Sequence, residues 1–294
     1  MTGVKPSTVP SVHEDHALFR EAIAFTAAET RFLPRLIEKD YFCSLLLHYL
    51  TTSVSALAFK GGTCLAKVHA GFYRLSEDLD FVIPTPVTSS RSERRALSAE
   101  LKEAVTRLPG ATNEFRIVEA LKGANSSTQY VVSVGYTSLI NRQDETVKIE
   151  VGLREPLLTQ RVSGKAQTLL LNPFSGKPIT PPITVQCISG QELMAEKLRA
   201  ALSRREAAIR DFFDIDYAVR KLEFHPFEKA MIKLVRQKLS MPGNESVDMS
   251  RERLATLRRQ LGTELKTVLR EKDYREFDLD RAYRIVTEVA DVVS

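Results

Sequence analysis

The stretch FKGGTCLAKVHAGFYRLSEDLDFVI, residues 59–83, decides how this chain is read. An apolar strand runs into Gly61-Gly62, a helical pattern opens at Thr63, and an Asp-x-Asp pair sits on the strand that follows. Glycines let a backbone come close to a ligand without side-chain obstruction. A helix opening at Thr63 aims free N–H groups and the positive end of its dipole at its entrance, an arrangement that suits phosphate. Asp78 and Asp80 are two apart in an extended segment, so their carboxylates share a face, while Leu79, Phe81 and Ile83 take the core side. Two neighbouring carboxylates repel unless a cation neutralises them, and oxygen-only ligands favour Mg2+. Such an ion can clamp triphosphate oxygens and activate an attacking hydroxyl. Taken singly, the glycines read better as a tight turn and 76–78 as a polar loop. Their joint occurrence in one strand–helix–strand unit favours a nucleotide site.

Upstream of this unit, apolar spacing predicts helices over 16–30 and 32–50, then a strand over 54–59. Downstream, the strand 79–83 is stopped by Pro84 and Pro86, an amphipathic helix follows over 91–108, and strands are expected at 115–120, 130–136 and 147–153. Past Pro173 a proline-rich connection leads through a strand at 183–188 into a helical half. There Ser189 and Glu192 carry the signature of a reciprocal helix cap. Further helices are expected at 209–221, 226–239, 250–261 and 281–293. Helices, then a mixed strand-rich core, then helices again predict an α+β fold, not a doubly wound parallel sheet. The expected organisation is a flexible N-terminal segment 1–17, a core 18–188 and a helical C-terminal domain 189–294.

The 294 residues suffice for one large domain or two modest ones, and 43% apolar with 27% charged residues argue against disorder. A net charge of +5 suits a polyanionic partner, and equally a surplus of surface lysines. Cys43, Cys64 and Cys187 have no CxxC spacing and read as buried, reduced thiols. His48, His69 and His225 read as structural or surface groups, so no zinc site is expected. No signal-peptide core or membrane-spanning run is evident, and the expected location is the cytoplasm.

The central stretch also resembles the first motif of the DNA polymerase beta-like nucleotidyltransferase superfamily, Gly-Gly/Ser followed by Asp-x-Asp. Its variant here, KGGT then RLSEDLDF, is similar to the AbiEii/AbiGii-type (MenT-like) nucleotidyltransferase toxins. IEKDY at 37–41 resembles that family's EKDY helix. QELMAEKLRA at 191–200 with RDFFD at 210–214 resembles its E-x-x-A-x-K-x-x-A…R-D-x-x-D block. The likeness ends near residue 220.

The resemblance implies a polymerase beta-like core, a mixed sheet flanked by helices, with a helical C-terminal region. It implies transfer of a nucleoside monophosphate from an NTP with release of pyrophosphate. Gly61, Gly62 and Thr63 would hold the triphosphate, and Ser76 would either contact nucleotide or cap a turn. Asp78 and Asp80 would be the ligands of Mg2+ or Mn2+. Glu150 would be a third, because an unpaired charge amid apolar alternation is costly; relatives often carry aspartate there, and Lys148 could instead pair with it. Lys197 matches a catalytic lysine that would neutralise triphosphate charge, although its place beside the stripe Met194, Leu198, Ala201 and Leu202 also suits a snorkelling side chain. Arg204, Arg205 and Arg210 would add to that field or coat the helix. Asp211 would orient Lys197 or act on the acceptor hydroxyl, and Asp214 would pair with Arg210 or Arg205.

The family further implies the toxin half of a bacterial toxin–antitoxin or phage-defence pair. Its acceptor would be tRNA, extended at the 3′ end to block translation, and its antitoxin would be a separate protein, to which members of the family often make no stable attachment. Arg251, Arg253, Arg258, Arg259, Lys266 and Arg270 would lie along RNA phosphates or coat a solvated face. The alternatives are a small-molecule or protein-hydroxyl acceptor, and a non-catalytic nucleic-acid-binding regulator.

Overall fold

The computed structural model describes residues 11–293. Of the segment 1–17 expected to be flexible, residues 1–10 lie outside the described residues. The rest passes through a short turn, Val12–Glu14, where the buried His13 ring meets the Tyr41 hydroxyl at 2.8 Å and Glu114 at 2.9 Å. Helix α1 (His16–Thr30) begins where the Asp15 side chain accepts the N–H groups of Ala17 and Leu18. Helix α2 (Pro34–Ser53) begins at a proline, whose missing N–H is harmless in a first turn.

Strand β1 (Ala58–Lys60) runs directly into the helical turn α3 (Gly61–Cys64), which widens into a π turn over Leu65–His69. Strand β2 (Leu79–Val82) follows. The helix expected over 91–108 is broken in two, α4 (Arg91–Leu97) and α5 (Ala99–Ala111). The break falls at Ser98, whose hydroxyl bonds back to the Arg95 carbonyl and competes with the helical ladder. Strands β3 (Arg116–Ala124), β4 (Gln129–Thr137) and β5 (Asp144–Gly152) form an antiparallel meander. Strand β6 (Val162–Ala166), which lacks apolar alternation and was not foreseen, pairs with β7 (Ile183–Cys187) at one sheet edge.

The helical half holds α6 (Gly190–Ser203), α7 (Ile209–Lys221), α8 (Lys229–Leu239), α9 (Arg251–Gln260), a short unforeseen α10 (Glu271–Glu276) and α11 (Leu279–Val293). The cap at Ser189 forms by half: its side chain accepts the Glu192 N–H, but the Glu192 carboxylate turns away to Thr159 and the buried Lys238.

The architecture is α+β, as expected. One mixed sheet runs in the order β3-β4-β5-β2-β1-β7-β6, with parallel pairs β2/β5 and β1/β7 and the other pairs antiparallel. Leu79 and Phe81 face the core, and the rings of Phe59 and Phe81 lie 5.4 Å apart. Among the described residues no helix is long and apolar enough to cross a membrane.

Helix α2 is unusual in burying four consecutive polar side chains, Glu38 to Tyr41. Each finds a partner distant in sequence. Glu38 accepts the Ser138 hydroxyl at 2.6 Å and the Leu139 N–H at 2.7 Å. Lys39 pairs with Glu77 at 2.9 Å, and Asp40 pairs with Lys67 at 2.6 Å and accepts the Leu169 N–H. The EKDY segment is therefore a strut that fixes the stretch before β2 and the loop after β6. Removing one member of a buried pair strands the other charge, at a cost of about 3–5 kcal/mol. Asp40→Ala should lose about that much in urea unfolding, whereas Glu103→Ala, in an exposed pair on α5, should stay within about 0.5 kcal/mol of wild type.

Candidate active site

Strand register assembles the first wall of the site. Asp80 on β2 lies opposite Lys60 on β1 and Glu150 on β5, so Lys60, Asp80 and Glu150 form one row across one face of the sheet. Burial lifts the Asp80 carboxyl to about 6, and the neighbouring Glu150 and Asp78 add to the rise while Lys60 and Lys197 oppose it. Lys148 pairs with Glu150 at 3.0 Å, the salt bridge left open by the sequence.

The Gly61 turn is pressed against this row. Gly61 has φ +74°, and a Cβ there would lie 2.1 Å from the Asp80 carboxylate; one on Gly62 would meet Arg74 at 2.6 Å and Ser76 at 3.2 Å. The two glycines thus admit the protein's own side chains, a closer constraint than approach to a ligand alone. The buried Thr63 donates its hydroxyl to the Asp78 main-chain carbonyl, tying the turn to the start of β2.

The second wall comes from α6 and α7. Lys197 reaches Asp211 at 2.7 Å and Asp214 at 2.8 Å. Burial works against its ammonium, but the two carboxylates outweigh it and raise the lysine's pKa. Asp214 is fully buried and holds Arg74 through both oxygens, accepts the Tyr73 hydroxyl at 2.6 Å, and does not pair with Arg210 or Arg205 as the sequence suggested. Asp211 also lies 3.4 Å from Arg204. Beside Lys197, Glu196 pairs with Lys60 at 2.8 Å and with Lys238 at 3.2 Å. Burial opposes its charge, and the lysines, Lys60 foremost, still hold its carboxyl well below the usual range.

Between the walls lies a cleft of about 410 Å3. Gly61, Gly62, Asp80, Glu150, Lys197 and Asp211 all line it; Thr63, Ser76 and Asp78 stand behind the turn and at the strand's entrance. Arg204 and Arg205 line it as well, with Arg154 and Arg199, while Arg210 does not. Of the basic C-terminal residues, Arg253 is buried against the carbonyls of Ala201 and Arg204, and Arg270 is held by Asp273 over the Phe32 ring. These two brace the helical half and are not free to lie along a polyanion. Lys60, Arg74 and Glu196 were not singled out in the sequence. Lys60 stood inside the KGGT motif and Glu196 inside the helix block, so their positions were the available signal.

A carboxylate row on a strand, a glycine turn against it and a facing lysine on a mixed sheet define a nucleotidyltransferase with a polymerase beta-like α+β fold. Residues 45–284 match the family described as nucleotidyl transferase AbiEii toxin, type IV toxin–antitoxin system, and the chain belongs to it. Among solved structures it is similar to MenT4, a nucleotidyltransferase toxin from Mycobacterium tuberculosis H37Rv. The two are 19% identical with a TM-score of 0.54, over 95% of this chain and 98% of that one. It is also similar to JHP933 from Helicobacter pylori, at 16% identity and a TM-score of 0.51 over 89% of this chain and 93% of that one. Comparison with curated proteins finds no match.

The raised Asp80 carboxyl has a measurable consequence. Its folded value of about 6 exceeds the unfolded aspartate value of about 3.9, so the folded state binds the proton more tightly. Stability from this group is fully present below about pH 4 and is lost as pH rises through 6. In metal-free protein, Asp80 should pull unfolding free energy down across that window, against the rise from depressed carboxyls such as Asp214 and Glu196, so the wild-type curve should fall relative to that of Asp80→Asn. An unchanged slope in the variant would show that Asp80 is not the group responsible.

Proposed function

We propose that this toxin transfers a nucleoside monophosphate from an NTP to the 3′ end of tRNA, blocking translation. The observation that carries the reading is the meeting, in one cleft, of the Asp80–Glu150 row, the Gly61-Gly62 turn and Lys197.

Asp80 and Glu150, with Asp78 at the strand's entrance, are hard oxygen donors; burial, and after it the charge of Glu150, raises the Asp80 carboxyl, and this set fits Mg2+ or Mn2+. These residues would hold a divalent ion, which would supply neutralisation of triphosphate charge and a lowered pKa for the acceptor hydroxyl. The main chain of the Gly61-Gly62 turn receives the phosphates, and the hydroxyl of Thr63 holds that turn in register with Asp78. Ser76, beneath Gly62, supports the same turn. Lys197 offers its ammonium to charge that builds on the departing pyrophosphate. Asp211 and Asp214 aim that ammonium, which favours an orienting role for Asp211 over a role at the acceptor hydroxyl. Arg204 and Arg205 extend positive charge along the cleft, as a polyanionic acceptor requires. A cognate antitoxin encoded separately completes the system, acting without a stable complex.

Incubation with total tRNA and each α-labelled NTP in Mg2+ should label tRNA. Asp80→Ala should lower the rate by three orders of magnitude or more, and Lys197→Met by about 10²-fold with a smaller change in KM for NTP. Label that survives Asp80→Ala would sink the mechanism, and label on a small molecule or protein in a lysate, with none on tRNA, would move the acceptor to another class. Arg204→Gln with Arg205→Gln should weaken tRNA binding and reduce the salt slope by nearly two, leaving NTP binding close to wild type.

A further inference from the structure

On the far side of the glycine turn, three side chains from separate elements converge. Cys64 ends α3, His69 ends the π turn, and Cys187 ends β7. Their two sulfurs and a ring nitrogen all lie within 4.8 Å of one another, with the Cys187 sulfur 4.0 Å from His69 Nε2. Both cysteines are fully buried, and His69 is partly exposed. The sequence had suggested inert thiols and a lone histidine; Cys43 fits that description, since burial pushes its thiol up to about 12.

Two features of the backbone bring the trio together. Residues five apart on an α-helix lie about 140° apart around the axis, so Cys64 and His69 would diverge on a regular helix. The π turn over Leu65–His69, closed by the Ala70 N–H on the Leu65 carbonyl at 2.8 Å, takes in the extra residue and returns His69 to the Cys64 side. The second feature is Gly164 on β6. A Cβ there would lie 2.5 Å from Val68 and 3.1 Å from the Cys187 sulfur, so the missing side chain is what lets the π turn settle onto the strand pair.

We propose that Cys64, His69 and Cys187 form a zinc site, two thiolates and one imidazole, with a water molecule as fourth ligand. Sulfur and imidazole donors in this ratio select Zn2+ over Mg2+. Ideal Zn–S and Zn–N distances of about 2.3 and 2.0 Å put a sulfur and a nitrogen about 3.5 Å apart in a tetrahedron, so the Cys187–His69 pair needs to close by only about half an ångström. The bonds given up are weak ones, the Cys187 sulfur to the Val162 carbonyl at 3.5 Å and His69 Nε2 to the Ile188 carbonyl at 3.2 Å. The water enters by a second cleft, of about 320 Å3, which His69 lines with Leu65, Gly190 and Met194. Binding releases the two thiol protons to solvent.

The site would clamp α3, which carries the Gly61-Gly62 turn, to β7, the parallel neighbour of β1. It is separate from the carboxylate row and does not depend on the acceptor proposed above.

The test is titration of the metal-free, fully reduced protein with Co2+ as a spectroscopic probe, then displacement by Zn2+. In wild type one equivalent of Co2+ should give thiolate-to-cobalt charge-transfer absorption and the visible bands of a tetrahedral ion, Co2+ held by the oxygen-only carboxylate row adding no charge-transfer band, and Zn2+ should abolish both signals and raise Tm. Asp80→Asn should keep the full spectrum. His69→Ala, at a partly exposed position whose folding circular dichroism can verify, should weaken binding at least tenfold, and Cys187→Ala should remove the charge-transfer band. Absence of that band in reduced wild type at saturating Co2+, or its survival in Cys187→Ala, would overturn the proposal.

Discussion

The buried carboxylate of Asp214 is the interaction on which the rest of the site depends. Burying a lone charge is prohibitive, and Asp214 is acceptable only because Arg74, Tyr73 and Lys197 together occupy both its oxygens. Arg74 and Tyr73 belong to the loop between the glycine turn and β2, and Lys197 belongs to α6. One carboxylate therefore joins the two walls of the cleft and sets the direction of the lysine. Burial opposes its charge, but Arg74 and then Lys197 outweigh that and keep the group ionised far below the usual aspartate range.

Much of this was legible in the chain. Asp78 and Asp80 at strand spacing, flanked by Leu79 and Phe81, marked one face as polar and the other as core; in β2 Leu79 and Phe81 are buried as read, but Val82 on the Asp80 side is buried too, and Asp78 lies just before the strand. Glu150 was recognisable as a charge amid apolar alternation, but its neighbour could not be read: the parallel pairing of β2 with β5 is a property of the whole sheet. The same holds for Asp214, whose helical spacing pointed to Arg210 or Arg205, while two of its partners, Arg74 and Tyr73, lie 140 and 141 residues upstream. Strand β6 was missed because an edge strand need bury only one side, and VSGKA carries too little apolar pattern to declare itself. Ser98 broke a helix that periodicity drew as continuous. The cysteines illustrate a subtler failure. Cys64 and His69 are close in sequence, but only a π turn puts them on one side, and an α-helical reading separates them.

The glycine pair was read for the right reason in part. Absent Cβ atoms were expected to leave room for phosphate. In the fold, that room is first taken by Asp80 beneath Gly61 and by Arg74 and Ser76 beneath Gly62. Close backbone approach thus packs the turn onto the carboxylate row and so sets the distance between the main chain of the turn and the acidic groups. Family motifs and packing constraints coincide here because the same missing atom satisfies both.

The division of the cleft between distant parts of the chain bears on how the enzyme comes into being. Chains grow from the N-terminus, and Gly61, Asp80 and Glu150 emerge from the ribosome well before Lys197, Asp211 and Asp214. A nascent chain that has extruded only the sheet has Asp80 and Glu150 beside Lys60 and Lys148 but no Lys197 facing them, and Arg74 and Tyr73 still lack the Asp214 carboxylate. An incomplete product that ends before α7 therefore lacks Asp211 and Asp214, and with them the carboxylates that hold Lys197 and join the two walls. The order of residues along the chain makes closure of the cleft a late event in synthesis.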